Sequence, residues 1–308
     1  MRFDRLGVDG IERDAAGGRP FLPGIRGDAA GTLRYLDELA RNSEDPSWAE
    51  RLHGTAEELM RNEGLVATTS GTTGPSKRML IPPTDLLASA RLTAETFDLR
   101  PGDRVLHCLP AEYVAGKVML ARAFALGLDV RFIDPRGGIL TRIAPHECFR
   151  FAAMVPVQLH RALEENRTRV EQQFETILLG GGPVSDALEE LLHGLRTRIV
   201  LGYGSTEMVT HVALRDLNGE RATHHFTALG DCHFARDPRG CLVAFTPHLS
   251  VGQHLTNDLV ELIDDTRFRW LGRYDNVILS GGKKIYPEQL EARTAGLLPY
   301  PHFFSPTP

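Results

Sequence analysis

The chain has 308 residues, 42% of them hydrophobic and 24% charged, with a formal net charge of −5, the make-up of an ordinary globular protein long enough for one large core or several subdomains sharing it. An acidic balance with no polybasic block argues against a nucleic-acid partner, and no run approaches the ~20 consecutive apolar residues of a transmembrane helix. The opening MRFDRLGVDGIERDAAGG lacks the apolar stretch of a secretory signal, and Cys108, Cys148, Cys232 and Cys241 show no paired metal spacing. Together these predict a cytoplasmic protein with reduced, mostly buried thiols and no membrane partner.

The first ~30 residues carry Gly and Pro clusters and little periodicity, which predicts a loosely ordered lead-in. Leu33, Leu36, Leu39 and Ala40 then mark one helix; a second runs from Pro46, a first-turn proline, through Trp48, Leu52, Ala56 and Leu59. Beyond them the texture alternates. Strands are predicted at 65–69 and 78–81 around a Gly/Thr/Ser loop, then at 104–109, 129–133, 151–155, 176–180 and 197–201; helices are predicted over 84–97, 114–126, 157–166 and 184–193. Such repetition predicts a layered α/β body with mainly parallel pairing. From 211 the pattern turns strand-rich in HVALR, CLVAF, DLVELI and RFRWL, predicting a small β-rich subdomain over 211–272 that completes an N-terminal domain of 1–272. Residues 273–308 read as a hinge and the truncated start of a small C-terminal α+β domain, because LLPYPHFFSPTP resembles a strand entering a loop rather than a domain's end.

The segment Thr69-Ser70-Gly71-Thr72-Thr73-Gly74-Pro75-Ser76-Lys77 joins two predicted strands. Its glycines let backbone N–H groups approach a polyphosphate, its hydroxyls donate further hydrogen bonds and its lysine adds charge. It is not a Walker loop, which needs Gly directly before the Lys, and a polar hairpin turn is the alternative. Further on come Gly180-Gly181-Gly182-Pro183, Gly202-Tyr203-Gly204-Ser205-Thr206-Glu207, Thr256-Asn257-Asp258-Leu259-Val260, Gly272-Arg273-Tyr274-Asp275-Asn276-Val277-Ile278 and Ser280-Gly281-Gly282-Lys283-Lys284-Ile285-Tyr286-Pro287-Glu288. In that order, over 65–291, these resemble the core motifs of the adenylate-forming superfamily: acyl-CoA synthetases, luciferases and peptide-synthetase adenylation domains. Within it, LPAEYVAGKVMLARAFALGL (109–128), AAMVPVQL (152–159), STEMVTHVALRDLNG (205–219) and TNDLVEL (256–262) resemble the o-succinylbenzoate–CoA ligases.

The resemblance implies that a small-molecule carboxylic acid attacks ATP, with Mg²⁺, to give an acyl-adenylate that CoA then attacks. Ser70, Thr72, Thr73 and Lys77 would hold the outer phosphates, with Gly71 and Gly74 giving backbone access. Thr206 would donate to the α-phosphate and Glu207 would hold Mg²⁺, a carboxylate completed by phosphate oxygens and water; the alternative for Glu207 is an acid at a helix start. Thr206, Glu207 and Lys77 would thus form the catalytic set. Adenine would lie between the Tyr203 ring and the Gly181-Gly182 backbone, Asp258 would accept the ribose hydroxyls, Arg273 would reach ribose or phosphate, and Asp275 would be the hinge. Tyr113, Lys117 and His211 are the acyl-pocket candidates, Lys117 as the cation for a second carboxylate, against an exposed helix lysine and a core histidine.

Three departures from the pattern stand out. The loop reads GPSKR where the family usually has proline before the lysine and glycine after it. The chain begins only ~65 residues before that loop, and the family's catalytic lysine would fall beyond residue 308, since Lys283 and Lys284 belong to an earlier motif. The rivals to a CoA ligase are an aryl- or fatty-acid adenylating enzyme with another acceptor, and a catalytically impaired nucleotide-binding module lacking the C-terminal lysine.

Overall fold

In the computed structural model, which describes residues 29–68, 77–280 and 283–294, the chain divides into two units, Met1–Ala153 and Met154–Pro308. In the first, α1 (Ala29–Arg41) packs on α2 (Ser47–Met60). The stripe predicted from sequence is the one α2 buries: Trp48, Leu52, Ala56 and Leu59. Strands β1 (Leu65–Thr68) and β2 (Arg78–Ile81) form an antiparallel pair, with Leu65 opposite Ile81 and Thr68 opposite Arg78. Helix α3 (Pro83–Phe97) opens on a proline, where a missing N–H costs no intrahelical bond. Next come β3 (Arg104–His107), α4 (Val114–Leu126), β4 (Asp129–Phe132) and β5 (Phe149–Met154). Gly127, at φ 63°, ends α4 in the left-handed cap that favours glycine. β3 runs parallel to both β4 and β5. Strands covered on both faces need continuous apolar runs, and Val105, Leu106, Phe151 and Ala152 are all fully buried.

The second unit begins with α5 (Pro156–Gln173), β6 (Phe174–Leu179), α6 (Asp186–Leu191) and β7 (Arg198–Gly204). The sequence predicts a helix ending at 166. The structure breaks there, at Asn166 with φ −163° and ψ 90°, but Asn166 Oδ1 accepts from Arg169 N at 3.0 Å and the helix restarts to Gln173. After β7 come β8 (His211–Asp216), β9 (Phe226–Ala228), β10 (His233–Arg236), β11 (Cys241–Phe245), β12 (Gln253–Leu262) and β13 (Arg267–Arg273). β6 and β7 are parallel; from β7 the pairing turns antiparallel and runs in space β7-β8-β9-β13-β12-β11-β10. Met208, Val212, Phe226, Phe234, Leu242, Val260 and Phe268 form the core of this part.

A hairpin of β14 (Ile278–Ser280) and β15 (Lys283–Ile285) comes next, then helix α7 (Pro287–Thr294), which packs on β13. The α/β class and the β-rich part after 211 are as the sequence predicts. The division at 153/154 is not announced by any motif. Among the described residues no helix is long and apolar enough to cross a membrane.

Candidate functional site

β6 and β7 place Leu179 opposite Leu201, so their C-terminal ends carry Gly180–Gly182 alongside Gly202–Gly204. The region outside the carboxyl ends of parallel strands is where open α/β sheets take ligands. A Cβ on Gly180 or Gly182 would meet nothing within 4 Å, and Gly181 has φ +76°. Packing therefore does not require glycine at 180 or 182, and the bare backbone leaves room for a flat group to lie against it. Gly204 is the opposite case. Its Cβ would fall 2.0 Å from the Thr210 carbonyl oxygen, so the return from β7 to β8 closes only on glycine. Thr206, half-buried, and Glu207, exposed, ride on that return. No helix follows Glu207, which removes the helix-start alternative and leaves its carboxylate in solvent.

Tyr203 and Asp258, 55 residues apart, meet directly. The Tyr203 hydroxyl donates to Asp258 Oδ2 at 2.6 Å, while its ring packs on Phe268 at 5.0 Å and Phe226 at 5.7 Å. Burial, then the Asp258 charge, raises the phenol's pKa well above 10.0, so it stays a donor. Asp258 is 15% exposed and takes Trp270 Nε1 at 3.2 Å and Arg273 Nη1 at 3.3 Å on Oδ1. Arg273 also faces Asp275 Oδ2 at 3.7 Å, which accepts from Asn257 Nδ2 at 3.0 Å. Arg239 braces this corner, donating to Asn257 Oδ1 at 3.0 Å and lying 5.3 Å over the Tyr274 ring. From α7, Glu288 Oε1 accepts Arg273 N at 3.3 Å and Asn276 Nδ2 at 2.7 Å. Glu288 Oε2 would sit 2.7 Å from a Cβ on Gly272, whose φ is +147°. Trp270, Asn257, Arg239 and Glu288 are absent from the sequence-based site. Trp270 was within reach of sequence reasoning, since it pairs with Val260, two positions past Asp258, across the β12–β13 hairpin.

The remaining candidates divide. Lys77 is exposed just ahead of β2, and Ser70, Gly71, Thr72, Thr73 and Gly74 lie outside the described residues. Tyr113 stands 61% exposed at the N-cap of α4. His211 is buried, its Nδ1 3.0 Å from Thr210 Oγ1, as a core histidine would be. Lys117 departs from expectation: its Nζ donates to Val66 O at 2.7 Å and lies 3.5 Å from Glu58 Oε2, so its charge is directed at β1 and α2. The helix turn carrying it is pinned. Gly116 has no room for a side chain, its Cβ falling 2.2 Å from Pro110 O, and its carbonyl accepts from His107 Nε2 at 2.9 Å. Burial pushes the His107 pKa down to about 4.

Among the described residues no group of three or more His, Cys, Asp or Glu could hold a metal ion. The single exposed carboxylate of Glu207 fits an ion that arrives coordinated by phosphate oxygens and keeps its waters, as Mg²⁺ does. The bare glycines, the Tyr203 ring and the Asp258 acceptor fit a nucleoside.

Residues 31–231 match the family described as AMP-binding enzyme. The chain is 28% identical over 269 residues to the probable 2-succinylbenzoate–CoA ligase of Mycobacterium tuberculosis, covering 80% of this chain and 68% of that protein. It is 28% identical over 239 residues to the Escherichia coli 2-succinylbenzoate–CoA ligase, covering 72% of this chain but only 50% of that one. The chain thus spans between half and about two thirds of these relatives. Among solved structures it resembles an acyl-CoA synthetase (AMP-forming)/AMP-acid ligase II-like protein from Dyadobacter fermentans, at 35% identity and TM-score 0.67, covering 84% of this chain and 75% of that one. It also shares its fold with the Bacillus subtilis O-succinylbenzoate coenzyme A synthetase in complex with ATP and magnesium ion, at 22% identity and TM-score 0.66, covering 88% of this chain and 67% of that one.

Proposed function

The chain belongs to the AMP-binding enzyme family, and on that footing we propose that it binds ATP with Mg²⁺, joins a carboxylic acid to AMP with release of pyrophosphate, and hands the acyl group to the thiol of CoA. The observation that carries the nucleotide step is the pairing of bare, unpacked glycines after β6 with the Tyr203–Asp258 hydrogen bond at the end of β7. Adenine lies between the Gly181–Gly182 backbone and Tyr203, and Asp258 accepts from the ribose. Arg273, already on Asp258, stays beside the sugar and links it to Asp275. Thr206 donates to the α-phosphate and Glu207 holds Mg²⁺. Lys77, with the Ser/Thr/Gly segment before it, takes the outer phosphates.

Charge crowds the reaction centre as the acid attacks phosphorus. These residues therefore act by positioning and by electrostatic stabilisation rather than by proton transfer. The acid is o-succinylbenzoate, supported by the names of the mycobacterial and Escherichia coli relatives and by the four segments that resemble such ligases. ATP–pyrophosphate exchange measured across a panel of acids tests this. Exchange with o-succinylbenzoate above all others is expected. Preference for a fatty or simple aryl acid would overturn the substrate, and AMP binding without exchange on any acid would reduce the chain to a nucleotide-binding module.

A further inference from the structure

Strands β12 and β13 bring two donors to one oxygen of Asp258, and a break in their register is what allows it. Asp258 lies opposite Arg273 and Leu259 opposite Gly272, but Val260 lies opposite Trp270. Between those pairs β13 therefore carries one residue, Leu271, more than β12. Residues directly opposite in an antiparallel pair share a face, and a strand changes face at every residue. In a regular strand Arg273 and Trp270, three positions apart, would point to opposite faces. The extra residue re-aims them, as a bulge does, and both side chains come to the face of Asp258. Gly272, at φ +147°, supplies a backbone conformation at this bulge that a side chain would strain.

The consequence is a count of acceptors. An ionised carboxylate offers about four lone-pair sites, about two on each oxygen. The Asp258 carboxylate receives three protein donors: Trp270 Nε1 at 3.2 Å and Arg273 Nη1 at 3.3 Å on Oδ1, and the Tyr203 hydroxyl at 2.6 Å on Oδ2. Oδ1 is full, and one site remains on Oδ2. Neither donor on Oδ1 is placed to leave. The Trp270 ring packs against the core that contains Phe226, Val260 and Phe268. Arg273 is held from its other side by Asp275 Oδ2 at 3.7 Å and through its backbone N–H by Glu288.

We infer that Trp270 is a positioning residue that sets how the sugar is recognised: by filling Oδ1 together with Arg273 it leaves Asp258 a single acceptor site, so Asp258 takes one hydroxyl of the ribose diol and not both. This rests on the ribose role proposed for Asp258. A deoxynucleotide that keeps the one recognised hydroxyl then binds as well as the ribonucleotide, and one that lacks it does not.

AMP is the probe, because it carries the sugar without the outer phosphates. Calorimetric Kd values for AMP, 2′-deoxy-AMP and 3′-deoxy-AMP are measured with the parent and with Trp270→Phe, which keeps a ring against the core but removes the N–H. In the parent, one deoxynucleotide should bind about tenfold more weakly than AMP, the scale of one hydrogen bond to a charged group, and the other within about twofold. In Trp270→Phe the vacated site on Oδ1 accepts the second hydroxyl, so the tolerated deoxynucleotide should also fall about fivefold or more below AMP. A ring with only a packing role would move all three nucleotides together. Should Trp270→Phe not fold, the parent supplies a second measurement. The chain has two tryptophans, and the Trp270 indole N–H, kept on Asp258, should be as protected from hydrogen exchange with AMP bound as without it. Loss of that protection on adding AMP, or equal losses for both deoxynucleotides in the parent, would overturn the inference while leaving Asp258 on the ribose. A folded Trp270→Phe with the parent's pattern would likewise remove Trp270 from the role. Equal binding of all three nucleotides by the parent fails at an earlier point, because Asp258 then takes no hydroxyl and the proposed ribose contact falls with it.

Discussion

Replacing Asp258 by Asn probes the ribose contact while sparing the fold around it. In the parent, Oδ1 takes Trp270 Nε1 and Arg273 Nη1, and Oδ2 takes the Tyr203 hydroxyl. An asparagine keeps its carbonyl oxygen toward the two nitrogen donors and turns its NH₂ to Tyr203, whose hydroxyl can accept as readily as donate. The fold loses a charge but no contact, so stability should fall by no more than ~1–2 kcal/mol. The nucleotide loses the charged acceptor, worth about 1.5–3 kcal/mol, or roughly 10- to 100-fold in Kd. ATP and AMP should weaken alike, since both carry the sugar, whereas 2′,3′-dideoxy-ATP should bind parent and variant equally. Calorimetry gives the affinities and a urea melt the stability. A loss for dideoxy-ATP as large as for ATP would refute the reasoning, because Asp258 would then be acting on the protein and not on the hydroxyls.

The same geometry predicts two further outcomes. Glu207→Gln removes an exposed carboxylate from a turn that packs without it, so Mg·ATP should weaken about tenfold with AMP affinity and melting point unmoved; AMP weakening in parallel would take Glu207 off the metal. His107, held neutral by burial with its pKa lowered from 6.5 to about 4, binds no proton in the fold where the unfolded chain does. Its contribution is therefore complete above pH 6.5 and is lost as pH falls from there toward 4, by about 3 kcal/mol in all. His107→Phe should flatten that limb of the stability–pH curve in urea melts, and a limb of unchanged slope would assign it to other groups.

Sequence periodicity finds most elements here because buried strands and amphipathic helices announce themselves locally: β3, β5, α2 and α4 lie where their apolar patterns place them. Where a local signal is weak or contradicted, it fails. β9 has only three residues, too few to show alternation, and α5 passes a non-helical Asn166 because that side chain caps the helix that resumes. In the candidate site, motif resemblance points to Tyr203, Asp258 and Arg273, yet their mutual contacts join residues 15 and 55 positions apart, which no window of sequence contains. Lys117 shows the limit most sharply. Helical spacing puts it on a face of α4, but its direction is decided by Val66 and Glu58, 51 and 59 residues upstream.

Glu288 has a practical consequence for anyone shortening this protein. The motifs invite a cut at 272/273, keeping the body and discarding the C-terminal remainder. That cut would remove Arg273 itself, and even one placed just after Asn276 would take away the carboxylate that receives the Arg273 N–H and the Asn276 amide. The strand end bearing Arg273, and with it one of the three donors on Asp258, would be left to fray. A minimal nucleotide-binding fragment must therefore extend through α7.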